Sequence, residues 1–398
     1  METGQGMVNR ILLWAAAATA GLSLFVFIQG YANGPVTGAG RLVNSNRVFF
    51  QEHAGYVKPG DLVYRGICDG SAAVVIAGDT LLTAYDELNT LFAFPLAGGR
   101  STARFDLAKF LDLRTSDEID IEAATVAGDL IWWIGSHSLD SGGHDAPGRR
   151  TLFATNIPAA DLHDLQLLVP PQDLTGVLLD SPDVRAVLTQ AARQRAPKQG
   201  GIDIEGLASS PGGGLLLGFR SPLTDDSGMS GDAMLVRLEP AGDSFRVHTV
   251  TLLDLNNRGI RDLVNYGDGY MMIAGAATAG YDRKFALYKW RGNAARARRM
   301  RRIKGLHAEA LVDAGDHWLI LSDDGKRQRA AGKSGDDHPT CDSIRRYSVA
   351  GEAHPGVYFR AQRINKKSLR ATLARRDKQK QPASRKSPRY AGYHAQGW

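Results

Sequence analysis

The chain is expected to be an all-β protein, a β-propeller with five visible repeat units and so five or six blades. Three observations predict it. An acid-bearing apolar strand, a tight glycine turn and a second apolar strand recur along the chain. Each copy runs on into a third strand-like stretch. Small residues stand where the first strand of each unit would line a crowded axis. Four short antiparallel strands per unit, repeated around an axis, are the propeller pattern.

The units start near Cys68, Asp120, Asp203, Arg261 and His307. The first is the weakest: Asp69-Gly70-Ser71-Ala72-Ala73, the Gly78-Asp79 turn, then Thr80 to Tyr85 and Asp86-Glu87. In the second, Asp120-Ile121-Glu122-Ala123-Ala124 turns at Gly128-Asp129 into Leu130-Ile131-Trp132-Trp133-Ile134-Gly135-Ser136-His137. The third is the clearest: Asp203-Ile204-Glu205-Gly206-Leu207-Ala208, Pro211-Gly212-Gly213-Gly214, then Leu215 to Ser221. The fourth runs from Arg261-Asp262-Leu263-Val264 through Gly267-Asp268-Gly269 to Gly275. The fifth runs from His307-Ala308-Glu309-Ala310-Leu311 through Gly315-Asp316 to Ser322-Asp323-Asp324. Third strands are expected at Leu91 to Leu96, Leu152 to Ile157, Met234 to Leu238, Phe285 to Trp290 and Ile344 to Val349, and a fourth at Arg246 to Leu255. Aromatic and β-branched residues between such turns are hairpin signals.

A body of residues 45–359 suits one propeller, because each blade carries its own small sheet. Residues 1–32 read as a signal peptide or an N-terminal membrane anchor. Arg10 precedes eighteen largely apolar residues, Ile11 to Ile28, and small residues follow at Gly30-Tyr31-Ala32. A cleaved signal makes the body periplasmic or secreted; the alternative is anchoring by residues 11–28. Cys68 and Cys341 are the only cysteines. In an oxidising compartment they can form a bridge between first and last blades, or remain two separate thiols. One short helical insertion is expected at Ser181-Pro182-Asp183, with Val184, Val187, Leu188 and Ala191 on one face. It is either packed over one mouth of the ring or a plain surface helix.

Residues 360–398 read as a disordered basic tail. Arg360 to Arg389 holds twelve basic residues against Asp377 alone, which leaves 36 basic and 41 acidic residues elsewhere out of 48 and 42. The tail can make loose contact with anionic envelope components, and no specific nucleic-acid partner is expected. The protein is expected to be a monomer.

The repeats put Glu122, Glu205, Asp262 and Glu309 at equivalent places near the axis, and Asp86, His137, Arg220 and Asp323/Asp324 at the ends of the second strands. The two sets should meet in a polar ring at one mouth. Converging hard oxygen ligands suit Ca2+, with Glu122, Glu205, Asp262 and Glu309 as candidate ligands. Glu122, His137, Asp203, Glu205 and Arg220 suit acid–base hydrolysis, the arginine holding a small anionic ligand. Alternatively, Glu205–Arg220 and Glu122–His137 are structural pairs that set blade register. No nucleophile elbow, P-loop, HExxH or CxxC pattern occurs.

Asp203-Ile204-Glu205-Gly206-Leu207-Ala208, Gly218-Phe219-Arg220-Ser221-Pro222, Trp133-Ile134-Gly135-Ser136-His137, Gly259-Ile260-Arg261-Asp262-Leu263 and Cys68-Asp69-Gly70-Ser71-Ala72 resemble the bacterial domain-of-unknown-function family 3616 over about residues 60–350. That resemblance implies an exported propeller without an assigned activity. The Asp-Ile-Glu-Gly block is also similar to that of esterase-like phytase propellers, which implies phosphoester chemistry. Two functions are therefore expected in the alternative. One is a calcium-dependent phosphoester or ester hydrolase with its polar, acidic site at the channel mouth. The other is a non-catalytic envelope propeller that binds a ligand or partner there.

Overall fold

A computed structural model describes residues 57–85, 88–113, 118–196, 199–277, 285–293, 296–325 and 357–369. The chain divides into the units Met1–Pro59 and Gly60–Trp398, and every described strand belongs to the second. The expected targeting segment, Asp86, Glu87, Cys341 and the strand expected at Ile344 to Val349 lie outside the described residues. No described helix is long and apolar enough to cross a membrane.

The strands form five sheets, the blades of one propeller. Strand β1 (Leu62–Arg65) is the first of the described strands but belongs to the last blade. Blade one is β2 (Ala73–Ile76), β3 (Thr80–Tyr85), β4 (Thr90–Pro95) and, after the two-residue β5 (Gly99–Arg100), β6 (Ala103–Asp106). Helix α1 (Leu107–Phe110) follows, capped by the Asp106 carboxylate, which accepts from Ala108 N. Blade two is β7 (Ile121–Ala127), β8 (Leu130–Gly135), β9 (Leu152–Asn156) and β10 (Leu167–Gln172). Helices α2 (Thr175–Asp180) and α3 (Pro182–Ala191) intervene. Blade three is β11 (Asp203–Ser210), β12 (Gly214–Leu223), β13 (Ala233–Ala241) and β14 (Ser244–Leu253). Blade four is β15 (Gly259–Tyr266), β16 (Gly269–Gly275), β17 (Ala286–Trp290) and β18 (Arg298–Arg302). Blade five is β19 (Ala308–Ala314), β20 (His317–Ser322) and β21 (Tyr358–Asn365).

The ring is closed by β1, which pairs antiparallel with β21, Val63 opposite Arg360. On its other edge β1 pairs with β5, which ties the last blade to the first. The inner strands β7, β11, β15, β19 and β2 pack on one another in that cyclic order. The core is accordingly five wedges, one between each pair of neighbouring blades. Small residues at the axis are needed as expected. A Cβ on Gly206 of β11 would overlap Leu263 of blade four, and Ala123 and Ala310 are fully buried.

Two expectations change. The tail expected from residue 360 cannot begin there, because Arg360 to Asn365 complete β21. Composition marks this stretch as basic and solvated, but Arg360 is fully buried and bidentate on Asp324, with Nε at 2.8 Å and Nη2 at 2.6 Å. A third nitrogen reaches Asp61 at 3.4 Å, so paired carboxylates offset the desolvation cost that drives such charges outward. Residues 370–398 lie outside the described residues. The helical insertion is two helices, not one. Pro182 occupies the first turn of α3, whereas the Ser181 side chain makes no capping bond. Val184, Leu188 and Ala191 are buried in the wedge between blades two and three, so α3 is part of the core and not a plain surface helix.

Cys68 is fully buried and disulfide-bonded. The other cysteine of the chain lies outside the described residues.

Candidate functional site at the start of the inner strands

Strand pairing explains which side chains reach the axis. In β7, Ile121 faces Gly135 and Ala123 faces Ile134, which leaves Glu122 as an extra residue. The same shift isolates Glu205 in β11 and Arg261 in β15. In β19 it falls between Ala308 and Leu311, around Glu309. Such a bulge inserts an unpaired residue and re-aims its side chain. The equivalent residues are therefore Glu122, Glu205, Arg261 and Glu309.

Asp262 is consequently not a member of the ring, which corrects its expected place as a metal ligand. It lies one residue beyond the bulge, on the other face of the strand. Its Oδ1 accepts from Leu263 N at 2.7 Å and its Oδ2 from Leu311 N at 2.6 Å. It stitches blade four to blade five. Burial pushes its pKa well above the usual carboxylate range, against the two backbone donors.

The remaining charges form a chain across blades three, four and five. Arg220, on the second strand of blade three, donates to Glu205 Oε1 at 2.6 Å and lies 3.4 Å from Asp203 Oδ2. Glu205 Oε2 is 2.8 Å from Arg261 Nε, an ion pair whose angle is off the hydrogen-bond line. Arg261 reaches Glu309 with Nη2. Glu309 Oε1 is 3.1 Å from His307 Nδ1, which lies 3.4 Å from Asp323 Oδ2. On blade two a second cluster holds Arg149, 2.8 Å from Glu118 and 2.9 Å from Asp120.

Ligand-type atoms of Glu122, Asp203 and Glu205 lie within 4.8 Å of one another, as do those of His307, Glu309 and Asp323. The expected Glu205–Arg220 pair is thus present, and Glu122 and Asp203 are beside it. The expected Glu122–His137 pair is not. His137 Nδ1 is 3.0 Å from the Gly135 carbonyl, and its backbone N–H donates to Arg149 O. Burial lowers its pKa, and the charges acting on it are Asp173 and Arg150. A left-handed backbone at His137, φ 57°, marks the place where the chain leaves the second strand.

Electrostatics separate the members of the chain. Asp203 is pushed up to about 8 by burial and then by the Glu205 charge, against Arg220. It therefore holds a proton near neutrality. Burial opposes the charge on Arg220, but Glu205 and Asp203 outweigh it and raise its pKa. Arg261 shifts the other way, lowered by burial and by its neighbour Arg220 despite Glu205. Arg149 is raised, because Asp120 and Glu118 exceed the cost of its burial.

Sequence reasoning missed Arg261, His307, Asp120 and Arg149 as members. Two of them carry a signal in the sequence. Asp120, Asp203 and His307 each stand two residues before a bulged glutamate, in Asp-Ile-Glu, Asp-Ile-Glu and His-Ala-Glu. Nothing local marks Arg261, whose partners come from two other blades.

Fold and site together define a class: a five-bladed β-propeller with a buried, acid-rich network where its inner strands begin. Its sequence matches the profile described as Protein of unknown function (DUF3616) over residues 70–146 and 164–334, and the chain belongs to that family. No curated protein matches the sequence. Among solved structures, the chain is similar to the PQQ-bound aldose sugar dehydrogenase of Streptomyces coelicolor. Identity there is 11%, over 77% of this chain and 100% of that one, with a TM-score of 0.34. For the glutaminyl cyclase of Myxococcus xanthus the figures are 12%, 71%, 82% and 0.33. For the bifunctional GH43-CE protein of Bacteroides eggerthii they are 8%, 65%, 31% and 0.38, so the chain spans about a third of that protein.

Proposed function

We propose that this is a binding propeller whose site is the acid-rich mouth, and that its ligand presents a small cationic group there. The observation that carries this reading is the convergence of Glu122, Asp203 and Glu205, whose ligand-type oxygens lie within 4.8 Å of one another. The clusters contain Glu118, Asp120, Glu122, Asp203, Glu205, Glu309 and Asp323, against the guanidinium groups of Arg149, Arg220 and Arg261 and the imidazole of His307. Acids are in excess, and one of them responds by keeping its proton to about pH 8. A cation beside Asp203 and Glu122 replaces that proton and restores the balance.

Calcium is the first cation to test, since Glu122, Asp203 and Glu205 offer only oxygen. The fit is incomplete, because calcium takes six to eight oxygens and both oxygens of Glu205 already face arginines. A protonated amine needs fewer ligands. Arg220 is already paired with the Glu205 carboxylate and lies against the Asp203 carboxyl group, which argues against its holding a small anion. The hydrolase reading keeps one support, a carboxyl that titrates near neutrality as a general acid should. It loses His137, whose hydrogen bonds go elsewhere. The disulfide at Cys68 supports export to an oxidising compartment.

The test is calorimetry and thermal melting with calcium, manganese and putrescine between pH 6 and 9. Cation stabilisation should grow with pH as Asp203 ionises, and Asp203→Asn should abolish that pH dependence. Absence of binding by all three cations at every pH would sink the reading. A phosphatase and esterase panel on the same protein decides the hydrolase alternative.

A further inference from the structure

The wedges between blades are not equally filled. Blades diverge outward from the axis, so each wedge widens toward the outer strands and needs large side chains there. Between blades two and three, Trp132 meets Phe245 edge-on at 5.4 Å, and α2 and α3 supply the rest. Between blades three and four the outer strand carries Thr249 and Thr251, and a cavity of about 390 Å3 remains. It lies beside the turns Pro211–Gly213 and Gly267-Asp268, the end opposite to the acid-rich mouth.

Two cross-strand rows form its walls. On blade three, Leu216, Arg237 and Thr249 are aligned neighbours. On blade four they are Asn265, Tyr270 and Trp290, with the two rings stacked at 5.6 Å and 26°. Arg237 donates through Nη2 to the Pro211 carbonyl at 2.9 Å and has no ion pair among the described residues. Arg291 stands exposed at the rim. The lining carboxylate, Asp268, lies 3.4 Å from Lys289, so the cavity is left positive. The Thr249 and Thr251 hydroxyls make no side-chain hydrogen bond among the described residues, unlike Asn265, which is bound to Ser209.

We propose that this cavity binds a small acidic sugar. An arginine without a carboxylate partner recognises a carboxylate with two parallel bonds. Tyr270 and Trp290 form a fixed, largely apolar part of the wall against which a sugar ring can lie, and the threonine hydroxyls serve its hydroxyl groups. The volume falls in the range of roughly 300–1,000 Å3 typical of small-molecule sites, far more than a lone phosphate fills. The site is independent of the acid-rich mouth, which lies at the other end of the inner strands.

The experiment titrates glucuronate into the full chain by calorimetry, with glucose, benzoate and inorganic phosphate as comparison probes. Glucuronate should bind at least tenfold more tightly than each comparison probe. Arg237→Gln should weaken it at least tenfold. If Arg237→Gln does not fold, Thr249→Val takes its place, with an expected loss of a few fold. No binding of glucuronate, equal binding of any comparison probe, or unchanged affinity in the folded variant overturns the proposal.

Discussion

Removing the Glu205 carboxylate tests whether the ion-pair chain holds the blades together. The side chain is 2% exposed and faces two guanidinium groups, Arg220 at 2.6 Å and Arg261 at 2.8 Å. Their own exposures are 14% and 3%, so neither recovers much hydration when its partner is removed. Breaking a buried pair from one side costs about 3–5 kcal/mol. The loss is not doubled, because Arg220 keeps Asp203 and Arg261 keeps Glu309. Some is returned, since Asp203 loses the neighbouring charge that helps to raise its pKa. Glu205→Ala should therefore lose about 3–4 kcal/mol, and Glu205→Gln, which keeps an acceptor for Arg220, roughly half of that. Urea unfolding followed by circular dichroism measures both. A loss under about 1 kcal/mol for Glu205→Ala would refute the reasoning, because the arginines would then be solvated or re-paired without it.

Two further outcomes rest on the same geometry. Folded Asp203 keeps its proton to about pH 8, whereas an unfolded aspartate releases it near 3.9. Its contribution is therefore complete below about pH 4 and drains away as the pH rises toward 8, by at most about 1.4 kcal/mol per pH unit. Asp203→Asn should flatten that part of the stability curve, and an unchanged slope in a pH series of melts would count against the assignment. Asp262→Ala leaves the Leu311 amide without its acceptor and should cost about 1–3 kcal/mol. Hydrogen exchange should show the Leu311 amide opening faster while amides of blade two keep their protection.

The repeat was legible because it is local. Alternating apolar residues around glycine turns require hairpins whatever surrounds them, and in most units an acid just ahead of the small residues marks the inner strand. The Glu205–Arg220 pair could be read for the same reason, since adjacent strands of one hairpin bring the two residues together. What failed had its cause outside the segment. A strand that slips by one residue presents its other face, so a bulge set by pairing turned Arg261 inward and Asp262 toward blade five. Arg261 then finds Glu205 and Glu309 on two other blades, and no spacing within its own repeat encodes that meeting. Likewise Arg360 belongs to a basic run by composition and to the closing blade by tertiary pairing, where Asp324 and Asp61 compensate its charge. Hairpins, their number and the supply of carboxylates are thus written into short stretches of chain. Which charges meet is settled by closure of the ring, because ion pairing depends on separations of about 3–4 Å between residues that are far apart along the chain.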